Sequence, residues 1–496
     1  MMAVSASSTA LGDKSDEDTA DPTASATLTD EASNSGDEAQ RVDDAAASAD
    51  GEYADFGNNT DEKYKGYGGS QYITYLTFLN YFSDIERVSE TITVDADTPL
   101  HSSSGAEAKE ITDDFNTTKK AYVVDESGYI DAHITAEKAG LYHIAVDYLP
   151  IAGKSIDAEI SLNIDGCVQY KEVNSLSLNR IWTDDRTPDE NGNWPPRDFN
   201  DNEVSPETKE VFRWTDYTIH DNSFTSDSDL YFYLSEGEHS IKITVLRESV
   251  AFASISIGGT KQIASYKDVY ADYQAKGYKP VSDDTNILIN AEYPTLKSHQ
   301  SLMMNAEYTA STTNGCGDML HYSKTRYNSM GGENWKSVNQ WIEYEITAEQ
   351  DALYTLSFKY KQDYVTGMNV YRSILVDGEV PCEELQAVAF APTAMWTNYT
   401  VADENGNPYY IHLSKGTHTI RLNVTFGPIA ETLQILETQV TNLNKWYRKI
   451  VQITGPSPDT LRDYDLHKTI TGLIDGFKEI RDTLYERARY VETLNS

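Results

Sequence analysis

The sequence predicts a mainly β protein built from two tandem antiparallel jelly-roll-like β-sandwiches, with a disordered acidic N-terminal tail and C-terminal α-helices. Three observations carry this prediction: an ordered internal repeat, apolar alternation with period two inside the repeat, and a change of composition at each end of the repeated region. Domains hold roughly 100–200 residues each, so the 496 residues accommodate two to four of them. The predicted units are a disordered linker over 1–70, sandwiches over 71–265 and 266–430, and a helical segment over 431–496.

The N-terminal stretch has no aromatic side chain before residue 50 and is rich in Asp and Glu. Such a composition buries too little apolar surface to offset the entropy lost on ordering, which predicts a disordered linker. Residues 4–6 (Val-Ser-Ala) resemble the end of a signal peptide, although the charged and apolar regions that should precede it are missing. We interpret the start as a signal-peptide remnant of a longer precursor, which predicts an extracellular or cell-surface protein. The alternative is a plain disordered terminus.

The repeat consists of six blocks that occur in the same order in both copies. The first block pairs residues 94–97 with 289–292. The other five pair residues 129–137 with 341–349, 141–142 with 353–354, 164–166 with 376–378, 214–218 with 396–400 and 234–241 with 413–420. Over these five blocks the offset between the copies falls from 212 to 179 residues. The first copy therefore carries an insertion of about 30 residues, near 182–210.

Each block is typical of a strand or a turn. Residues 141–148 and 353–360 alternate apolar and polar side chains, the pattern of half-buried strands. The Asp-Gly pairs at 165–166 and 377–378 indicate tight turns, because Gly accepts a positive φ. Many short strands joined by such turns predict an antiparallel sandwich in each copy. Residues 72–85 fit a short helix and a strand equally well.

The C-terminal segment shows apolar residues at helical spacing between 466 and 494. A single amphipathic helix must cover its apolar stripe with something. We favour a truncated chain whose partner follows Ser496, and the alternative is a helix that packs back on the sandwiches.

Charge excludes several kinds of partner. Lys and Arg number 40 against 79 Asp and Glu, a net charge of −39, so nucleic acid and anionic lipid would be repelled, whereas neutral glycans and cationic partners stay open. The sequence contains no run of about 18 apolar residues, which predicts no membrane span. It also contains no GxSxG, HExxH or P-loop motif, so we predict a protein that is not an enzyme.

The second copy resembles carbohydrate-binding modules of the family 6/35 type, which are jelly-roll sandwiches appended to bacterial glycoside hydrolases. The resemblance is carried by 289–292 (INAE), 341–346 (WIEYEI), 376–378 (VDG), 396–399 (WTNY) and 413–420 (LSKGTHTI). The first copy fits less closely, with Tyr129 where the second has Trp341. Residues 453–464 and the helix after them resemble a region of Firmicutes extracellular solute-binding proteins that serve sugar ABC importers.

These resemblances imply non-catalytic binding of a polysaccharide or oligosaccharide by an extracellular protein. They also imply that the chain is the N-terminal part of a solute-binding protein with ABC permease components as partners. Two alternatives remain: the accessory binding region of a glycoside hydrolase, and a cell-surface adhesion protein.

Sugars offer flat C–H faces and rings of hydroxyl groups, so a binding site needs exposed aromatic rings and a few polar partners. We predict Tyr327, Trp335 and Trp396 as the aromatic platforms, with Asn339 and Asn423 as polar partners. The alternative for Trp396 is a place in the shared core, because the same motif occurs around residue 214 in the first copy.

The insertion adds Trp182 and Trp194 as a second predicted contact surface, and the alternative is a loop packed on its own sandwich. In modules of the resembled type, a Glu at the end of the first strand helps to hold a structural calcium ion. The resemblance therefore implies Glu292 as a calcium ligand, with Asp97 as its counterpart in the first copy. The alternative is that both are ordinary exposed acids.

Overall fold

The computed structural model describes residues 73–97, 101–102, 108–221, 229–259, 263–282, 285–307, 324–365 and 367–494. The predicted linker over 1–70 lies outside these residues. The described chain is mainly β with helices at its C-terminal end, which confirms the predicted fold class.

The first sandwich is preceded by helix α1 (Tyr75–Tyr81), whose N-terminus is capped by the Thr74 hydroxyl. This settles the ambiguous stretch before residue 85 as a helix. The strands that follow are β1 (Ile92–Asp95), β2 (His101–Ser102), β3 (Lys109–Thr112), β4 (Thr118–Val124), β5 (Tyr129–Ala136), β6 (Gly140–Pro150), β7 (Ala158–Ile164), β8 (Leu176–Leu178), β9 (Ile181–Asp184), β10 (Thr208–Val211), β11 (Thr215–Thr218), β12 (Tyr231–Leu234), β13 (Gly237–Arg247) and β14 (Val250–Gly258).

Two antiparallel sheets form the first sandwich. One has the order β2-β5-β13-β7-β8, and the other has the order β11-β6-β14-β4-β3, with β1 added to β14 and β12 added to β6. Along β7 every second residue is buried, as the period-two pattern predicts for a strand with one face in a core.

The second sandwich is preceded by helix α2 (Tyr266–Lys276) and repeats the first topology. Its main sheet has the strand order β15-β18-β25-β21-β22, which corresponds to β2-β5-β13-β7-β8 of the first sandwich. The strand pairs β19–β24 and β20–β23 correspond in sequence position to the pairs β6–β12 and β6–β11. Its strands are β15 (Leu296–Lys297), β16 (Met304–Asn305), β17 (Ser329–Met330), β18 (Trp341–Ala348), β19 (Ala352–Thr355), β20 (Ser357–Tyr360), β21 (Val370–Val376), β22 (Val388–Phe390), β23 (Thr397–Thr400), β24 (Tyr410–Leu413) and β25 (Gly416–Thr425).

The helix before each sandwich is docked by the same pair of contacts, so the repeat extends further upstream than the sequence blocks indicate. The amides of Tyr75 and Tyr266 donate to the Glu172 and Glu384 carboxylates, at 3.0 and 2.7 Å. The hydroxyls of the same two tyrosines accept from the first amides of β12 and β24, both at 3.0 Å.

The insertion of the first copy joins the two sandwiches. Strand β9 pairs with β10 on one side and with β15 of the second sandwich on the other, which makes one seven-stranded sheet, β10-β9-β15-β18-β25-β21-β22. The alternative of a loop packed on its own sandwich is therefore wrong, because strand β9 of the insertion pairs with strand β15 of the second sandwich.

After β25 the chain forms helices α3 (Ala430–Thr454), α4 (Leu466–Thr469) and α5 (Leu473–Leu494). Helices α3 and α5 pack closely where Gly476 meets the Trp446 ring. The space there is too small for a side chain, since an added Cβ at Gly476 would lie 2.4 Å from the ring. Part of α3 contacts α1, and the Asn369 amide of the second sandwich donates to the Leu494 carbonyl at 3.4 Å. The helices thus pack in part on the sandwiches. Among the described residues, no helix combines the length and the apolarity that crossing a membrane requires.

Candidate functional site

A cleft of about 390 Å³ opens on the second sandwich. Three separate parts of the chain form it: the β16–β17 hairpin with the turn after it, the loop that follows β20, and the segment just before β23. The lining residues are Asn305, Ala306, Glu307, Ser329, Met330, Gly332, Glu333, Asn334, Lys361, Asp363, Tyr364 and Trp396.

Two aromatic side chains line this cleft. Trp396 is half-buried, and its indole Nε1 is buried without a hydrogen-bond partner among the described residues. Tyr364, from the loop after β20, is 36% exposed. The cleft therefore offers accessible aromatic surface from two loops, which is the feature that stacking against a flat ligand ring requires.

Gln362 fixes the loop that carries Tyr364. Its side chain is fully buried: Nε2 donates to the carbonyls of Val365 and Met368 at 3.0 and 2.9 Å, and Oε1 accepts from the Val365 amide at 3.1 Å. Its backbone amide donates to the Thr393 hydroxyl at 3.1 Å, which connects the loop to the segment before Trp396. The Gln362 side chain thus holds the loop of Tyr364, and its backbone amide joins that loop to the segment before Trp396. Sequence patterns give no signal for this role, because an isolated Gln in a loop is ordinarily exposed.

The hairpin side of the cleft is held by Asn328, which is 2% exposed. Its side chain donates from Nδ2 to the Glu307 carbonyl at 2.9 Å and accepts at Oδ1 from the Glu307 amide at 2.8 Å. Met304 and Asn305 of β16 pair with Met330 and Ser329 of β17. Glu307, Ser329 and Met330 therefore reach the cleft from a backbone with little freedom.

Charged groups dominate the polar part of the cleft. Lys361 pairs with Asp363 at 2.7 Å, and the hydrogen bond and charge of Asp363, with the charge of Glu307, raise the pKa of Lys361 despite its partial burial. Burial, followed by the charges of Glu333 and Asp363, raises the pKa of the Tyr364 hydroxyl, while Lys361 opposes this rise. The phenol therefore stays neutral and can donate a hydrogen bond.

Trp335 is fully buried, so its prediction as an exposed platform is wrong. Its Nε1 donates to the Gln340 carbonyl at 3.4 Å, and the Arg372 guanidinium lies 4.5 Å from the ring centre. A Cβ at Gly331 would lie 3.0 Å from the same ring. Gly331 has a φ of 103°, which allows the backbone to pass close above the indole. A Gly-rich loop indicated exposure, but here the glycines make room for a core residue.

Tyr327, Asn339 and Asn423 do not line the cleft. The Tyr327 amide donates to the Glu203 carboxylate of the insertion at 2.7 Å. Asn339 has a φ of 65° and occupies a turn before β18. Asn423 lies within β25, and its buried Oδ1 has no hydrogen-bond partner among the described residues. The structure thus does not bring these three residues together with Trp396.

Trp182 and Trp194 belong to the junction between the sandwiches and not to an exposed contact surface. Trp182 is 6% exposed and lies opposite Lys297 in the shared sheet. Trp194 donates from Nε1 to the Asp185 carbonyl at 2.8 Å, and its ring meets the Tyr293 ring edge-to-face at 4.8 Å. The prediction of an exposed second contact surface is therefore corrected, because both rings pack against residues of the second sandwich.

The predicted calcium ligands lie in different surroundings. Glu292 is 3% exposed, so it is not an ordinary exposed acid, and burial raises the pKa of its carboxyl group. Asp97 is exposed and forms an ion pair with Lys120. Across the described ranges, no three His, Cys, Asp or Glu side chains cluster as a metal site. Calcium at Glu292 stays a prediction.

Trp214 of the first sandwich, which matches Trp396 in the repeat, lies in different surroundings. Trp214 is 7% exposed and packs with Ala121, Leu149, Ala251 and Ala253. The ammonium group of a lysine in β4 lies 5.5 Å from the centre of the Trp214 ring. The alternative of a core role therefore holds for Trp214, whereas the matching Trp396 keeps part of its ring accessible.

No protein-family model and no curated protein sequence matches this chain. Solved structures do show similarity. A family 35 carbohydrate-binding module from Clostridium thermocellum is 12% identical, covers 35% of this chain and 100% of its own, and has a TM-score of 0.21. The C-terminal family 6 module of a laminarinase, LamC from Zobellia galactanivorans, is 12% identical, with coverages of 34% and 99% and a TM-score of 0.19. The family 35 module of Abf62 from Cellvibrio japonicus is 12% identical, with coverages of 34% and 95% and a TM-score of 0.22. Similarity at this level does not assign a function to the chain.

Proposed function

We propose that the protein binds carbohydrate without catalysing a reaction on it, and that the ligand occupies the cleft beside Trp396. The observation that carries this proposal is the combination of a half-exposed indole and a partly exposed phenol with amide and carboxylate groups in one cleft. Pyranose rings present C–H faces to aromatic surfaces and hydroxyl groups to polar side chains. The two kinds of group needed for that match are present together.

The dimensions and rigidity of the cleft support the same proposal. Its volume of about 390 Å³ falls within the range of roughly 300–1,000 Å³ that is usual for small-molecule sites. The buried hydrogen bonds of Gln362 and Asn328 hold its walls before any ligand arrives. A preformed site loses less conformational entropy on binding, which favours recognition of short saccharide units.

The test is titration calorimetry of the full chain against a panel of soluble oligosaccharides and polysaccharides. We expect Trp396→Ala to weaken binding of the preferred ligand by about fivefold or more, because an aromatic contact contributes on the order of 1 kcal/mol beyond the area it buries. Tyr447→Ala is the matched control, since Tyr447 is 64% exposed on α3, away from the cleft. Absence of binding to every saccharide would contradict the proposal, and release of new reducing ends would contradict its non-catalytic part.

We also propose an extracellular location and a role beside a sugar ABC importer. The acidic composition, with a net charge of −39, and the resemblance of residues 453–464 to solute-binding proteins support this setting. Recovery of the protein from the cell surface, together with cross-linking to permease components during sugar uptake, is the expected result. Recovery with a polysaccharide hydrolase would favour the accessory-region alternative, and retention on host cells without saccharide dependence would favour adhesion.

A further inference from the structure

The charge of the cleft adds information about the ligand beyond its being a saccharide. Among the described residues of the lining there are three carboxylates, Glu307, Glu333 and Asp363, and one cationic side chain, Lys361. With all four ionised, the cleft carries two net negative charges. The rest of the chain is strongly acidic as well and adds to the negative potential there.

The Lys361 ammonium group already has an ion-pair partner within the protein. Its ammonium group lies 2.7 Å from the Asp363 carboxylate, and its side chain is only 17% exposed. The charge of Glu307 acts on the same ammonium group. A ligand carboxylate would have to compete with two protein carboxylates for this lysine, so the cleft provides poor recognition of uronic acids.

Glu333 is in the opposite situation. It lies in a short 3₁₀ turn over Gly332–Asn334, is exposed, and forms no ion pair within the part of the chain that the structure describes. Glu333 and Tyr364 both line the cleft, and the charge of Glu333 acts on the Tyr364 hydroxyl. A ring that stacks on the aromatic surface would therefore have a carboxylate available for a cationic substituent.

We propose that the cleft selects saccharides whose units carry a free, protonated amine, such as β-1,4-linked glucosamine oligomers, over their neutral and acidic counterparts. This inference rests on the proposed carbohydrate binding and specifies its ligand class. The C–H face of an amino sugar meets Trp396 and Tyr364, while its ammonium group donates charge-assisted hydrogen bonds to Glu333. Oligomers of uronic acids meet the net negative charge of the lining and bind least.

The experiment is calorimetric titration of the full chain with four oligomers of equal length: glucosamine, N-acetylglucosamine, glucose and galacturonic acid. We expect the glucosamine oligomer to bind about tenfold more tightly than the two neutral ones at low salt. The advantage should shrink at 0.5 M salt, because partly exposed charge pairs are screened. Glu333→Gln keeps the shape of the side chain and should cost about fivefold for the glucosamine oligomer only. Glu345→Gln, an exposed carboxylate on β18 outside the cleft, is the matched control and should leave all affinities unchanged.

The outcomes separate this inference from the proposed function. Equal or tighter binding of a neutral oligomer overturns amine selection and leaves carbohydrate binding intact, whereas failure of all four oligomers to bind argues against both. A glucosamine oligomer could also adsorb to the acidic surface. Trp396→Ala retains every charge, so unchanged glucosamine binding by this variant would show adsorption and overturn the inference.

Discussion

At the scale of single residues, the surroundings of a tryptophan decide its role more than its motif does. Trp214 and Trp396 occupy the same motif, yet the first is 7% exposed and the second lines an open cleft. Trp335 lies in a Gly-rich loop and is fully buried. A ring can bind a ligand only where its neighbours leave part of its face uncovered, and those neighbours come from distant parts of the chain.

Trp335→Ala tests the core role of this residue. We expect the free energy of unfolding to fall by about 3–5 kcal/mol, since the substitution removes a fully buried indole and leaves a cavity beside Arg372. Urea denaturation followed by circular dichroism measures the change. Trp396→Ala is the comparison and should cost less stability, because its ring is only half-buried. Equal losses in the two variants would argue against the different roles assigned to them.

At the scale of elements, a histidine in each sandwich joins a strand to a turn through two hydrogen bonds. In the second sandwich, His418 donates from Nδ1 to Asp377 at 2.6 Å and from Nε2 to the Ser414 carbonyl at 2.8 Å. His239 makes the same two contacts with Asp165 and Ser235 in the first. This explains why the LSxGxHxI block and the Asp-Gly turn recur together: the imidazole joins the start of one long strand to the turn that follows another.

The hydrogen bonds of His418 predict that the stability of the protein depends on pH. Burial lowers the pKa of His418, but its hydrogen bonds to Asp377 and Ser414 outweigh burial and raise the pKa above the ordinary 6.5. The stabilisation is therefore complete below about pH 6.5 and is lost as the pH rises through the folded-state pKa. We expect Asp377→Asn to reduce this decline, measured by urea denaturation between pH 5 and 9. An unchanged decline in this variant would argue against its assignment to His418.

At the scale of the whole molecule, the insertion makes the two sandwiches interdependent. Lys297 of β15 and Asp184 of β9 form an ion pair at 2.5 Å across the junction, with side chains 1% and 5% exposed. Nearby, the buried carboxylate of Glu343 accepts from Arg213 of the first copy at 3.0 Å and from Arg421 of the second at 2.8 Å. Charges buried to this degree need their partners, because removing one leaves the other desolvated and uncompensated.

Asp184→Asn tests this dependence. We expect a loss of about 3–5 kcal/mol in the free energy of unfolding, because Lys297 stays buried without a countercharge. Asp185→Asn is a closely matched control: the adjacent Asp185 pairs with Lys209, whose side chain is 56% exposed, so this substitution should cost much less stability. Scanning calorimetry should show one cooperative transition for the native chain. Two separate transitions in the unmutated protein would contradict the coupling of the sandwiches.

Features that arise from local periodicity and repetition could be predicted from the amino-acid sequence. Alternation with period two predicted strands at β6 and at β19 and β20, helical spacing predicted α5, and the aligned blocks predicted two sandwiches of one topology. These features are readable because each is set by neighbours within one strand, helix or turn.

The position of the cleft and the exposure of its rings depend on how distant parts of the chain pack together. The cleft combines Glu307, Glu333, Lys361, Asp363 and Trp396 from parts of the chain that are distant in sequence. The insertion likewise pairs with the opposite sandwich, a choice that no local pattern encodes. Local spacing fixes which face of an element is apolar, whereas accessibility and electrostatic environment depend on what packs against that face. A site made from several loops is therefore readable only after the chain has folded.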